Sequence, residues 1–260
     1  MHSPQQHEEN LQSSRRTGLE ILIVLGLSLG ASAVYSIVRI LRRLAEETPL
    51  AGQSTTLNPS IVPEPWLDAL YQLLDIGFGL VPVALALFLL ARPAQSGARR
   101  IGLVSPRPLR DGLSGAALVL LIGIPGLALY LGGRALGITV QIGTAPAELM
   151  WWNVILLVLA ALRAGLLEEV IVVGYLFEKL RELGWSTAAI LLSTSLLRGS
   201  YHLYQGIGPF LGNVAMGLVF GWIYHRTGRV LPLVVAHALI DTIAFVGYPF
   251  ALAAWPELFA

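Results

Sequence analysis

The 260-residue sequence has a mean hydropathy of +0.69, is 55% apolar and carries charge on only 13% of its residues, whereas soluble domains carry ~25%. That balance excludes an ordinary soluble domain. The formal net charge of +1 offers no global field to attract nucleic acid. Cysteine is absent, which excludes disulfides, thiolate metal ligands, a cysteine nucleophile and palmitoylation.

The apolar residues come in long blocks, so lipid is the expected solvent for most of the chain. A bilayer core of ~30 Å needs about twenty apolar helical residues. A polar tail over residues 1–17, disordered at its start, precedes seven such blocks: residues 18–41, 66–91, 112–133, 150–180, 186–204, 207–225 and 230–252. The fourth is too long for one upright crossing, so it either tilts or breaks near Gly165 to make an eighth element. The expected fold class is an all-α integral membrane protein, a bundle of 7–8 transmembrane helices with a polar intramembrane site. Its expected segments are the tail (1–17), N-terminal helices (18–147), a site-bearing region (148–247) and a C-terminal tail (248–260). The linker at residues 45–64 reads as an exposed loop, and Trp66, Trp151, Trp152 and Trp222 as headgroup-belt residues.

Orientation follows from the basic residues. Arg92, Arg99, Arg100, Arg107 and Arg110 crowd one loop, which the positive-inside rule places in the cytoplasm. Alternation then puts Arg15, Arg16, Lys179, Arg181, Arg226 and Arg229 on the same side. Arg39, Arg42, Arg43 and Arg134 fall opposite. The N-terminus is therefore expected inside.

Ionisable groups deep in lipid cost several kcal/mol and mark a functional site by default. After residue 150 they are Arg163, Glu168, Glu169, Arg198, His202, His237 and Asp241. Adjacent carboxylates on a helix point about 100° apart, so Glu168 and Glu169 cannot serve one site equally. One can face a cavity as a general base while the other supports a neighbouring helix. The competing reading is a structural glutamate paired with Arg163 or Arg198. Arg198 lies one helical turn before His202, on the same face, while Tyr201 and Tyr204 suggest an interfacial setting. His237 and Asp241, at i and i+4, share a face where both can reach one metal, one water or one oxyanion. Asp75 reads as a packing residue and Asp68 as loop-proximal. One feature resists convergence. Counted at ~1.5 Å per residue from the cytoplasmic helix ends, Glu168 lies about 18 Å deep, His202 about 24 Å and His237 about 10 Å.

Taken together, Glu168-Glu169 through Gly174, Arg198 through His202 and His237 through Asp241 resemble the motifs of the CPBP family of intramembrane proteases, which includes CAAX prenyl-endopeptidases and bacteriocin-processing or immunity proteins. The resemblance covers about one hundred residues. It departs in two places: Val173 stands where the family has arginine, and Arg198 where it has an aromatic. One account is that the guanidinium has moved to the neighbouring helix while still pairing Glu169. The resemblance implies an endopeptidase acting on a membrane-associated protein or peptide. Glu168 and His202 would activate water, His237 and Asp241 would stabilise the oxyanion, with Glu169 in the same site and Arg198 in support. It equally implies a metal version, with Glu168, His202 and His237 holding Zn²⁺. Composition rich in arginine and poor in lysine points to a bacterial host and hence to the cell membrane. Three alternatives compete: a non-catalytic scaffold or immunity-like pseudoprotease, an ion-coupled transporter, and a serine protease with Ser114 in Gly112-Leu113-Ser114-Gly115 and His237 as its base.

Overall fold

The computed structural model describes residues 4–143, 151–248 and 254–255. The expected boundary at 147–148 and most of the C-terminal tail lie outside these. The chain starts as helix α1 (Pro4–Gly26) and bends by 55° into α2 (Leu29–Leu44). Two expectations change here. The stretch from Pro4 to Thr17 extends the first helix instead of forming a separate tail. Pro4 suits a first helical position, and no proline or glycine follows before Thr17. The first block, expected as one helix, is broken at Leu27 and Ser28. The Ser28 hydroxyl donates back to the Val24 carbonyl at 2.5 Å, and Gly30 lies so close that a Cβ there would meet the Leu25 carbonyl oxygen at 2.8 Å. Hydroxyl back-bonding and a small residue at the contact account for the bend.

The helices α3 (Pro65–Gly79) and α4 (Val81–Leu90) form one span. The joint at Leu80 precedes Pro82, which has no N–H to donate into the preceding turn. A one-turn helix α5 (Gly97–Arg100) is capped by Ser96, whose side chain accepts from the Arg99 amide. Helix α6 (Pro108–Ala135) follows. Beyond it, strand β2 (Gln141–Gly143) pairs in parallel with β1 (Ser54–Thr56), Ser54 opposite Gln141, and this small ribbon anchors the linker expected to be a free loop.

Helix α7 (Trp151–Glu168) continues through a π-helical segment, Glu169–Tyr175, into α8 (Leu176–Glu182) without a break. Gly165 does not interrupt it. Instead it lets α11 (Leu231–Thr242) approach, since a Cβ at Gly165 would lie 3.0 Å from the Val234 carbonyl oxygen and 3.2 Å from the Ala238 nitrogen. Between them come α9 (Thr187–His202), a 3₁₀ turn (Leu203–Gln205) and α10 (Ile207–Thr227). A π turn, Ile243–Gly247, extends α11.

The molecule is an all-α membrane protein. Among the described residues, length and apolarity qualify three helices as crossings: Pro65–Leu90, Pro108–Ala135 and Ile207–Thr227. The bent pair Leu11–Gly26 and Leu29–Leu44 makes a fourth. This is fewer than the seven expected: the segments of α7, α9 and α11 do not qualify, and all three carry the polar groups. The qualifying windows of Pro65–Leu90 and Pro108–Ala135 are only 17% and 6% buried, so these helices form the lipid-facing sheath. Val170, Ile171, Val172, Val173, Tyr175 and Phe177 form the centre of the core.

At the end that the arginine count assigns to the cytoplasm, an ionic network locks α1, the α4–α6 connection and α8 together. Buried Lys179 donates to Glu20 at 2.8 Å, and Arg100 donates to Glu182 at 2.7 Å and to Glu178 at 3.2 Å. Burial alone would raise the Glu182 carboxyl. The Arg100 hydrogen bond, with the Lys179 and Arg100 charges and a hydrogen bond from Arg92, overrides it and holds Glu182 below the usual carboxylate range. A depressed folded-state value means stability that is present at neutral pH and lost as pH falls below the unfolded value of about 4.3. Thermal unfolding in detergent at pH 7 and at about pH 4 should therefore show a larger acid-induced drop in Tm for the wild type than for Glu182→Gln. Equal drops would remove Glu182 from the acid response.

Candidate active site

Helices α7, α9 and α11 each deliver part of one polar cluster. Glu168 ends α7 and Glu169 opens the π segment. The wider i→i+5 turn changes the angular spacing at this point in the helix. Both carboxylates reach the same imidazole: Glu169 Oε1 is 2.7 Å from His237 Nδ1, and Glu168 Oε2 is 4.0 Å from His237 Nε2. The division of labour expected for adjacent residues still holds. Glu169 is completely buried and serves its neighbours, whereas the Glu168 side chain keeps 10% of its surface open.

Arg198, also completely buried, donates through Nη2 to Glu169 Oε1 at 2.5 Å, and its Nη1 lies 3.8 Å from Glu168 Oε2. Glu169 therefore joins a guanidinium from α9 to an imidazole from α11. As a carboxylate it accepts from both, so Nδ1 of His237 carries the hydrogen of that contact. Val173 leaves the family's arginine position empty, and Arg198 reaches Glu169 from the next helix. Arg163, the other partner considered for the glutamates, is elsewhere. It lies 3.4 Å from Asp75 and rests against Gly79, where a Cβ would collide with its Nε at 2.1 Å. Asp75, expected as packing, has a 63% exposed side chain in that pair. The absence of a side chain at Gly79 is what lets the guanidinium lie against α3.

His202 Nε2 is 3.7 Å from Glu168 Oε2 and has no hydrogen-bond partner. Asp241 Oδ2 is 3.5 Å from His237 Nε2. The side chains of His202 and Asp241 are 20% and 22% exposed, the most open of the cluster. Glu168, Glu169, Arg198, His202, His237 and Asp241 thus occupy one neighbourhood. Ser114 does not join it: the serine is exposed on α6, while both ring nitrogens of His237 face carboxylates. Asp68 is buried at the start of α3 and accepts from the Ile61 amide and from Gln72 at 2.6 Å each, anchoring the linker.

The depth conflict disappears because α11 does not begin level with the end of α8. The Val230 amide donates to the Ile101 carbonyl at 2.9 Å. The Ile101 side chain rests on Gly174, where a Cβ would meet its Cδ1 at 2.7 Å. Gly174 sits about two helical turns, ~12 Å, above the end of α8 at Glu182. Counting depth from a common end plane therefore placed His237 too shallow.

In the sequence Tyr201 served only as a sign that His202 could be interfacial, and its own role was missed. It is buried, its hydroxyl donates to Glu168 Oε2 at 2.7 Å, and its ring lies 4.9 Å from that of His202. The available signal was its place three residues after Arg198, on the same face of α9.

Among the described residues no three His, Asp or Glu side chains form a metal-holding group. The Glu168 oxygen facing both imidazoles already accepts from Tyr201 and has a guanidinium 3.8 Å away. As arranged, Glu168, His202 and His237 do not fit a Zn²⁺ ligand set.

A family model described as type II CAAX prenyl endopeptidase Rce1-like matches residues 150–243. No curated protein and no solved structure matches the chain. The matched segment contains all six clustered ionisable residues and Tyr201, so the polar cluster lies wholly within the part of the chain that is similar to that family.

Replacing one partner of a buried ion pair strands the other's charge, at about 3–5 kcal/mol. Arg198→Ala should therefore lower Tm sharply, and Glu169→Gln made in addition should restore part of it. A double variant no more stable than Arg198→Ala would show that the pair is not what Arg198 stabilises.

Proposed function

We propose that this protein is an intramembrane endopeptidase of the glutamate type, cleaving a membrane-associated protein or peptide with water activated by Glu168 and His202. The observation that carries the reading is the placement of Glu168 Oε2 within 4.0 Å of two imidazoles from two other helices, beside the part-exposed His202. A scaffold gains nothing from two part-exposed polar groups, His202 and Asp241, beside a desolvated carboxylate.

In this reading a water held between Glu168 and His202 Nε2 gives a proton to the Glu168 carboxylate as its oxygen bonds to the scissile carbonyl carbon. The carbonyl electron pair moves onto oxygen, where Nε2–H of His237 meets it. The ring does this as the imidazolium, with Nδ1–H donated to Glu169 and Nε2–H left for the oxyanion. Asp241, 3.5 Å from Nε2, orients the imidazole. Collapse breaks the C–N bond, and the proton on Glu168 passes to the leaving amine. Atoms and charges balance with no further reactant. Desolvation by the surrounding helices strengthens each of these electrostatic contacts.

The remaining features fit a bacterial cell-membrane protein with its N-terminus in the cytoplasm, given the arginine-rich loop 92–110 and the scarcity of lysine. The absence of native cysteine allows a clean test. In intact cells, Gln95→Cys should resist a membrane-impermeant maleimide and react after permeabilisation. Labelling in intact cells would invert the topology.

The activity itself is tested in liposomes bearing a library of lipid-anchored peptides, prenylated and acylated, with new amino termini read by mass spectrometry. The wild type should generate termini that Glu168→Gln and His202→Ala make about 10²–10⁴ times more slowly, and 1,10-phenanthroline should leave the rate unchanged. Equal activity in Glu168→Gln, or no new termini from the wild type, overturns the endopeptidase. Loss with chelator and recovery with Zn²⁺ overturns the metal-free mechanism.

A further inference from the structure

The cluster contains one hydrogen bond that the reading above does not use. Tyr201 is fixed on α9 between Arg198, one turn earlier, and His202, the next residue. Those two residues already engage the carboxylates. The phenol is buried, with its hydroxyl 2.7 Å from Glu168 Oε2. Glu168 has little else to hold it: Arg198 Nη1 at 3.8 Å, His202 Nε2 at 3.7 Å and His237 Nε2 at 4.0 Å are all beyond hydrogen-bond reach. The neighbouring Glu169, by contrast, is pinned from two sides at 2.5 and 2.7 Å. Glutamate has three side-chain torsions, and a carboxylate meant to take a proton from water must present one oxygen in a fixed direction.

We propose that Tyr201 is the positioning residue for Glu168: among the described residues its hydroxyl makes the one direct hydrogen bond that fixes the carboxylate facing His202 and His237. The inference rests on Glu168 being the water-activating base. Its chemistry is specific to an O–H donor. A phenylalanine keeps the ring and its 4.9 Å contact with His202 and loses only the hydrogen bond. The phenol takes no part in bond making, so substrate binding should be indifferent to it while turnover is not.

The test is Tyr201→Phe, checked for an unchanged unfolding temperature in detergent. Against the best-cleaved peptide of the liposome library, kcat should fall about 10- to 100-fold, the value of one hydrogen bond to a charged group, with KM within about twofold of the wild type. Infrared difference spectroscopy supplies a second readout that needs no substrate. The carboxylate band identified as that of Glu168 by its loss in Glu168→Gln should shift in Tyr201→Phe, and the shift should vanish in the Glu168→Gln background. A wild-type kcat, a loss confined to KM, or an unshifted band overturns the role of Tyr201. Full activity in Glu168→Gln would instead overturn the catalytic reading, while the infrared measurement would still decide whether the tyrosine holds the carboxylate.

Discussion

A guanidinium, a carboxylate and an imidazole bonded in series across three helices set the terms for the rest of the molecule. Arg198 and Glu169 are both completely buried, and His237 nearly so. Buried charge is tolerable only when paired and hydrogen-bonded, so α7, α9 and α11 must stay in register to within a few tenths of an ångström. Such a core must also be shielded from lipid. The span Pro65–Leu90 and helix α6 do this as a sheath whose exposed side chains include Phe78, Phe88, Leu120 and Ile124. The polar and apolar halves of the architecture follow from one constraint.

Close approach of backbones makes that series of bonds geometrically possible. Without a hydrophobic drive between helices in lipid, packing relies on small residues at the crossings. Gly165 admits α11 to α7, and Gly217 lies where a Cβ would be 2.9 Å from the Cα of Ser195, drawing α10 onto α9. At His202 the chain leaves the helix through a 3₁₀ turn, and the Tyr204 amide donates to Ser36 of α2 at 2.7 Å. The N-terminal helices, outside the segment that matches the family model, thus anchor the turn that ends at the site. The π segment after Glu168 adds an irregularity of a kind often found at functional sites.

The pairing of Arg198 with Glu169 joins residues on two different helices, at 2.5 Å. Glu169 needs a cation because it is desolvated, and the helix that supplies it is immaterial so long as the guanidinium arrives within hydrogen-bond distance. Arg198 also lies over the Phe220 ring, its Cζ 5.6 Å from the centroid, so the cation has a packing partner on α10 as well.

The helical class, the polar second half and the set of six ionisable residues were legible in the sequence, because an ionisable side chain within an apolar block has few reasons to be there other than a partner. Spacing along α9 and α11 also told which of them share a face. Five things required the tertiary structure. The bend at Ser28 depends on how Gly30 meets Leu25, and the π segment has no periodic signature. The recessed start of α11 depends on Val230 bonding to Ile101, a contact between residues far apart in the chain. The choice of Arg198 over Arg163 as the partner of Glu169, and the role of Tyr201 beside Glu168, were decided by which helices are neighbours. Composition and periodicity report what each residue requires of its surroundings. Only the packing of one helix against another determines which residue meets that requirement.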